Sequence, residues 1–444
     1  MRLSTRLRSV GMRVMASQKL LHLRKSAARR RRQRQGQAPM ILYFHQVDDP
    51  YSLIMAGQLQ RFASHTTLPI KPYLVSGPEG AFQGDAERFA VWALNDAATI
   101  AGFLGEPLPI PAGCTSPSVP NSQQVAIANH ILSDVLTSPD FLKQAQIQGQ
   151  ALWRHENLGT NPADGASAAL EEGNRLRETL GHYLGGTLYF DGEWFWGADR
   201  LPRLWERLKS EGYLGKQQDA FDPYASGTEK PLSASSVGSA QITLEYFPSL
   251  RSPYTAIAHA AVNDLVNRSG VNLTLRPVMP MLMRGIPAPR AKQNYIITDC
   301  AREARAKGIA FGNFVDPFGE PVKRGFRLFP GALAQGKGMA FVGAFLDAAF
   351  ANGTDIDSER GLRDVVTQAG LDWQTTSNHP DNQSWEELLE ANLQAMLDAG
   401  LWGVPSFRVS SPGEADFCCW GQDRIWRVEH EIAQRSQATA KGNP

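Results

Sequence analysis

Two copies of one pattern run through this chain, and that repetition limits the architectures open to it more than any other feature. Residues 40–52 read MILYFHQVDDPYS, and residues 241–255 read QITLEYFPSLRSPYT. Each is an alternating apolar run of strand type, a short loop, and a Pro-Tyr pair opening an apolar-periodic helix. A second strand follows each helix, Ile70 to Val75 in the first half and Val271 to Val278 in the second. Strand, helix, strand is the unit that joins a parallel pair. The halves agree again at their far ends. EGNRLRETLGHYLGGTLYFDGEWFWG at 172–197 matches EANLQAMLDAGLWGVPSF at 390–407, which is followed by FCCWG at 417–421. Both copies continue into Ala198-Asp199-Arg200-Leu201 or Gln422-Asp423-Arg424-Ile425 and then a terminal helix. Asp191-Gly192, set between two apolar runs, is a hairpin-turn signal.

Each half therefore reads βαβ, a helical insertion, then ββα. The expected fold class is α/β, two tandem thioredoxin-like domains, with all-helical inserts near residues 80–180 and 285–400. A chain of 444 residues is long enough for each half to bury its own core. The expected division is a basic amphipathic arm at 1–39, a first domain at 40–214, a second domain at 240–435 and a tail at 436–444. Residues 215–239, rich in Ser, Gly, Lys and Pro, read as the linker.

The net charge of +1 conceals an asymmetry. Residues 1–38 carry 12 Lys and Arg and no acid, which leaves the remainder of the chain at −11. Leu3, Leu7, Val10 and Val14 follow helical spacing among Arg2, Arg6, Arg8 and Arg13. A basic amphipathic helix of this kind suits an anionic membrane surface. Its composition equally suits an organellar transit peptide or a solvated tail. A nucleic-acid partner is not expected, because the acidic body opposes phosphates and no aromatic residue is interleaved with the arginines.

The cysteines, Cys114, Cys300, Cys418 and Cys419, form no C-x-x-C pair, so neither a dithiol redox motif nor a metal-binding spacing is present. They read as small buried residues. No stretch approaches the apolar length of a membrane span, and no secretory h-region is seen at the N-terminus. A reducing, cytoplasmic setting is expected, with peripheral membrane contact through the arm.

The ordered set of motifs in the second half resembles the 2-hydroxychromene-2-carboxylate isomerases and kappa-class glutathione transferases of the DsbA-like thioredoxin branch. The features are Ser252-Pro253-Tyr254, Arg276-Pro277-Val278, KQNYIITDCAREARAKGI at 292–309, GTDID at 353–357, AGLDW at 369–373 and WGQDRI at 420–425. The first half resembles the same family more distantly, through Asp49-Pro50-Tyr51 and FWGADRL.

Serine before proline is first of all a helix start, an N-cap hydroxyl with Pro at N1. The resemblance adds that Ser252 occupies the place where redox relatives keep a nucleophilic cysteine, and that its hydroxyl stabilises a bound glutathione thiolate. It further implies a cis turn at Val404-Pro405 pairing with the tripeptide backbone, and Gln422 and Asp423 holding the γ-glutamyl group. Lys292 would contact a carboxylate substrate. Lys292, Tyr295, Asp299 and Arg302 share one face of a helix, a charged stripe of the kind usually left in water. One departure is visible: no Asn stands between Arg276 and Lys292, so one contact of the family to glutathione is missing. In the first half Asp49 replaces the serine, and Gly185-Gly186-Thr187 stands opposite Gly403-Val404-Pro405. A carboxylate caps a helix well but repels a thiolate. That half reads as a degenerate copy.

The function implied is a glutathione-dependent isomerase or transferase acting on a small, aromatic electrophile, with glutathione as cofactor and no metal. The alternative is a non-catalytic tandem thioredoxin-like module held at a membrane by the arm.

Overall fold

The computed structural model describes residues 2–110, 119–159, 166–234 and 241–442, with side chains described to residue 438. Cys114 lies outside the described residues. Two helices open the chain, α1 (Leu3–Ala16) and α2 (Gln18–Arg34). The first half follows as β1 (Ile41–His45), α3 (Pro50–Phe62), β2 (Ile70–Leu74), α4 (Ala86–Leu104), α5 (Ser122–Asp134), α6 (Phe141–Trp153), α7 (Ser167–Leu180), β3 (Thr187–Phe190), β4 (Glu193–Trp196) and α8 (Leu201–Glu211). The second half repeats the order with a larger insert: β5 (Thr243–Phe247), α9 (Pro253–Ser269), β6 (Asn272–Leu275), α10 (Arg290–Ala306), α11 (Glu320–Ala334), α12 (Gly338–Asp347), α13 (Glu359–Gln368), α14 (Trp373–Ser377), α15 (Trp385–Asp398), β7 (Ser406–Ser410), β8 (Phe417–Trp420) and α16 (Ile425–Gly442).

Each half builds one four-stranded mixed sheet, in the orders β2-β1-β3-β4 and β6-β5-β7-β8. One parallel pair, joined across a helix, and two antiparallel pairs make each sheet. These are two thioredoxin-like domains, each βαβ, helical insert and ββα. The chain divides into two compact units, one of Leu21–Lys230 with Pro289–Lys292, the other of Met1–Leu20, Pro231–Ala288 and Gln293–Pro444.

Local chemistry explains the key boundaries. Asp49 and Ser252 cap α3 and α9, each followed by Pro at the first helical position. The β3–β4 hairpin turns through Asp191 (φ 35°) and Gly192 (φ 88°), and positive φ at both central residues is what a type I′ hairpin loop demands. Central strands are buried on both faces, as Ile41, Tyr43 and Phe44 show in β1 and Leu244, Tyr246 and Phe247 in β5.

The opening helices are docked rather than free. Arg8 of α1 reaches Asp316 (2.7 Å), and Arg13 donates to the Phe314 carbonyl (2.8 Å). Ala16 joins the core of the second half. In the other unit, Lys25, Arg29 and Arg32 of α2 pair with Glu193, Glu211 and Asp191. Among the described residues no helix is long and apolar enough to cross a membrane.

Candidate functional site

The loops leaving β1 and β5 fold into equivalent turns. In the second half Ser252 N–H donates to the Ser249 carbonyl (3.1 Å), Ser252 Oγ accepts from Thr255 N–H (3.1 Å), and Thr255 Oγ1 accepts from Ser249 N–H (3.4 Å). Asp49, Gln46 and Ser52 repeat these bonds in the first half. There Asp49 N–H donates to the Gln46 carbonyl (3.2 Å), the Asp49 carboxylate accepts from Ser52 N–H (2.8 Å), and Ser52 Oγ accepts from Gln46 N–H (3.2 Å). Because Ser252 Oγ accepts from the backbone, its own hydrogen is left to donate elsewhere. The first turn of α9 supplies a positive helix end at the same spot.

Opposite this turn runs the segment entering β7. The Val404–Pro405 bond is cis. The ladder pairs Phe247 with Ser406, which brings the Val404-Pro405 turn to the end of β5 from which the Ser252 loop emerges. Among the described residues, the Val404 N–H and C=O make no hydrogen bond within the chain. That is the condition of a backbone edge ready to receive an added strand. The Pro405 carbonyl accepts from Gly421 N–H (2.9 Å), and the Gly186 carbonyl accepts from Gly197 N–H (3.1 Å). Phe44 pairs with Thr187 as Phe247 pairs with Ser406. The counterpart of Pro405 is therefore Gly186, one residue before Thr187, which the order of motifs sets opposite Pro405. The first half carries Gly185-Gly186 where the second carries Val404-Pro405.

A polar cluster lies beyond β8. Gln422 is buried; its amide oxygen accepts from the Lys307 ammonium, and its amide nitrogen donates to Asp423. Nothing in the spacing of the sequence ties Lys307, after α10, to a residue after β8. A cation, an amide and a carboxylate thus stand side by side, which suits a zwitterionic amino-acid group. The aromatic residues nearby serve packing. Trp402 and Phe407 are buried, and Trp402 lies against Trp420 with ring centroids 4.8 Å apart.

Tyr295 and Asp299 of the α10 stripe are buried and Lys292 and Arg302 half-buried, contrary to the reading of a solvated face. Asp299 receives the Tyr254 hydroxyl (2.8 Å) and the Arg302 guanidinium, with the Tyr295 hydroxyl at 3.5 Å. Its neighbours satisfy the charge, which is why the stripe can leave water. The same brace exists in the first half, where Tyr51 donates to Asp96 (2.7 Å), again 45 positions away. Lys292, in the first turn of α10, is half-buried. It belongs with the first compact unit, where its ammonium lies 3.5 Å from the Phe82 carbonyl and burial lowers its pKa.

The first-half turn is filled by its own side chains. A Cβ on Gly185 would lie 2.5 Å from Gln46 Cβ, and one on Gly186 would lie 3.4 Å from the Asp49 carboxylate. Burial raises the Asp49 pKa to about 6, against the opposing bonds from Ser52. Because the folded state holds this proton more tightly than the unfolded chain, the group's contribution to stability falls as pH rises from about 4 to about 6. Asp49→Asn should remove that dependence. Relative to the wild type, the variant is expected to gain roughly 2–3 kcal/mol between pH 4 and pH 7. Urea unfolding at the two pH values checks this, and an unchanged difference would refute a raised pKa at Asp49.

The described cysteines carry no redox pair: Cys300, Cys418 and Cys419 are free thiols, and burial pushes Cys418 up to about 11. Among the described residues no cluster of His, Cys, Asp or Glu is placed to hold a metal ion.

Residues 243–433 match the DSBA-like thioredoxin domain; the first half lies outside this match. No curated protein matches the chain. Among solved structures the chain is similar to a 2-hydroxychromene-2-carboxylate isomerase (21% identity, 46% of this chain and 100% of that one, TM-score 0.36). It is also similar to a thioredoxin-like oxidoreductase from Silicibacter pomeroyi (18%, 46% and 90%, TM-score 0.28). A third similarity is to the cytosolic disulfide reductase DsbM from Pseudomonas aeruginosa with GSH (14%, 45% and 98%, TM-score 0.34).

Proposed function

We propose that the second half is a glutathione-dependent isomerase or transferase for a small, aromatic electrophile, with Ser252 at its reacting centre. The observation that carries the reading is the Ser252 turn: a nearly buried hydroxyl at a helix start, free to donate, where a redox relative would hold a thiol. With a serine there and an aspartate in the first half, disulfide exchange at either turn is disfavoured.

The residues present fit the tripeptide. Val404 offers unpaired backbone groups to its cysteine. Asp423, with Gln422 and Lys307 beside it, would hold the amino and carboxylate groups of its γ-glutamyl end. Bound there, glutathione would supply a thiolate nucleophile that adds to a conjugated double bond and can leave again. The Ser252 hydroxyl would donate to the thiolate, and the α9 N-terminus would favour its charge. Asp49, negative above about pH 6, gives the first half the opposite electrostatic preference.

The test combines calorimetry with a pH titration of the thiolate absorbance on the full chain. Ser252→Ala should remove one charge-assisted hydrogen bond, about 1.5–3 kcal/mol, raising the pKa of the bound thiol while the tripeptide still binds. Asp423→Ala should weaken binding itself. Asp49→Ala should leave glutathione-dependent turnover within about twofold. If Asp49→Ala abolishes turnover and Ser252→Ala does not, the roles of the halves are reversed and the proposal fails.

A further inference from the structure

An amphipathic helix on a protein surface ordinarily buries its apolar stripe and shows water its polar face. Helix α1 follows that order only in part: Met12, Met15 and Ala16 pack on the core, yet a second apolar stripe is left in water. Its inward face carries Thr5 and Ser9, both buried, with the Ser9 hydroxyl donating to the Thr5 carbonyl (2.6 Å) and accepting from Asp316 N–H (2.9 Å). Arg8 and Arg13 fasten the same side to Asp316 and the Phe314 carbonyl, and Arg305 donates to the Ala16 carbonyl (3.2 Å) at the far end. The Arg2 N–H donates to Asp357 (2.8 Å) at the near end. Polar bonds along its length, with Met12, Met15 and Ala16 packed on the core, thus fix the rotation of α1.

That rotation turns Leu3, Leu7, Val10 and Val14 outward, 72%, 65%, 50% and 50% exposed. Four apolar side chains in one helical stripe, held in water by the docking of the opposite face, form a patch with a purpose beyond folding. Arg6 is exposed beside the stripe, and α1 contains no acid. Self-pairing of two such helices would bring like charges together, whereas an anionic lipid headgroup layer complements them.

We propose that α1 is an interfacial membrane-docking element built onto the second-half unit, with Leu3, Leu7, Val10 and Val14 entering the headgroup–acyl boundary of an anionic bilayer. The apolar side chains supply insertion and the arginine supplies selectivity for anionic lipid. Binding needs no refolding of the helix, since its inner face stays bonded to the domain.

Co-sedimentation of the full chain with phosphatidylcholine vesicles, with and without phosphatidylglycerol, tests this. The wild type should bind the anionic vesicles, more weakly as salt rises. Leu7→Glu/Val10→Glu should lower the partition coefficient by about tenfold or more while leaving the thermal unfolding midpoint in place, because both side chains point into solvent. Arg6→Gln should weaken binding to anionic vesicles selectively. Failure of the wild type to bind, or equal binding by the double variant, overturns the proposal. Self-association in sedimentation velocity that the double variant abolishes, without vesicle binding, would assign the stripe to a second copy and likewise overturn it.

Discussion

Asp316→Ala is expected to destabilise the second-half unit by about 3 kcal/mol or more, toward the lower end of the roughly 3–5 kcal/mol seen when a buried ion pair loses one partner. The carboxylate is fully buried, and it accepts from Arg8 Nε (2.7 Å), Arg251 Nε (2.8 Å) and Phe318 N–H (3.3 Å). Both guanidiniums also lie over the Phe318 ring, so the acid and the ring hold them together. Because Arg8 and Arg251 each retain some exposure, they can turn toward water in the variant, which places the cost at the lower end. Urea unfolding measures the loss, and limited proteolysis should cut α1 first. Arg8→Ala alone should cost less, since Arg251 still answers the charge. A loss under about 1 kcal/mol for Asp316→Ala would show that this cluster does not hold α1 in place.

Gly403→Ala should damage the site without unfolding the chain. A Cβ there would come within 2.2–2.6 Å of the Trp420 indole. That ring cannot simply step aside, because Trp402 packs on it and the Trp402 carbonyl accepts from Arg284 (2.8 Å). Overpacking of this kind costs about 1–3 kcal/mol. Relief is easiest along the backbone, which moves the adjoining Val404-Pro405 turn. A displacement near 1 Å can cost on the order of a hundredfold in a positioned reaction, so glutathione-dependent turnover should fall by about tenfold or more. Unaltered stability together with unaltered turnover would mean that the turn is not held by this contact.

The parts legible in the sequence were those that local rules govern. Helix starts at Asp49-Pro50 and Ser252-Pro253 and the Asp191-Gly192 hairpin depend on a few consecutive residues, and all three formed as expected. The repeat was legible because its motifs recur in order. Less local features were not. The glycine-rich run before β3 offers no side chain by which to set register, so the pairing of Gly186 with Pro405 emerged only from the strand ladder. The α10 stripe looked solvated because its partner, Tyr254, sits on another element 45 positions away. Lys307 and Gln422 are separated by 115 positions, and no spacing rule reaches that far. Periodicity revealed two faces on α1 but not which would turn inward. Polar acceptors at Phe314 and Asp316 set that, together with the packing of Met12, Met15 and Ala16 on the core.

The tyrosine–aspartate brace carries a last consequence. Tyr51 to Asp96 and Tyr254 to Asp299 join the first helix of each half to its insert at the same separation, although the turns beside them now differ in charge and in proline. The two halves share this frame, while the turns beside it differ. Grafting the second-half turn onto this shared frame therefore takes more than exchanging Asp49 and the Gly185-Gly186 pair: a Cβ on Gly185 would meet Gln46 Cβ at 2.5 Å and Gly186 sits at φ 60°, which proline cannot adopt, so Gln46 and the path of the turn must change with them.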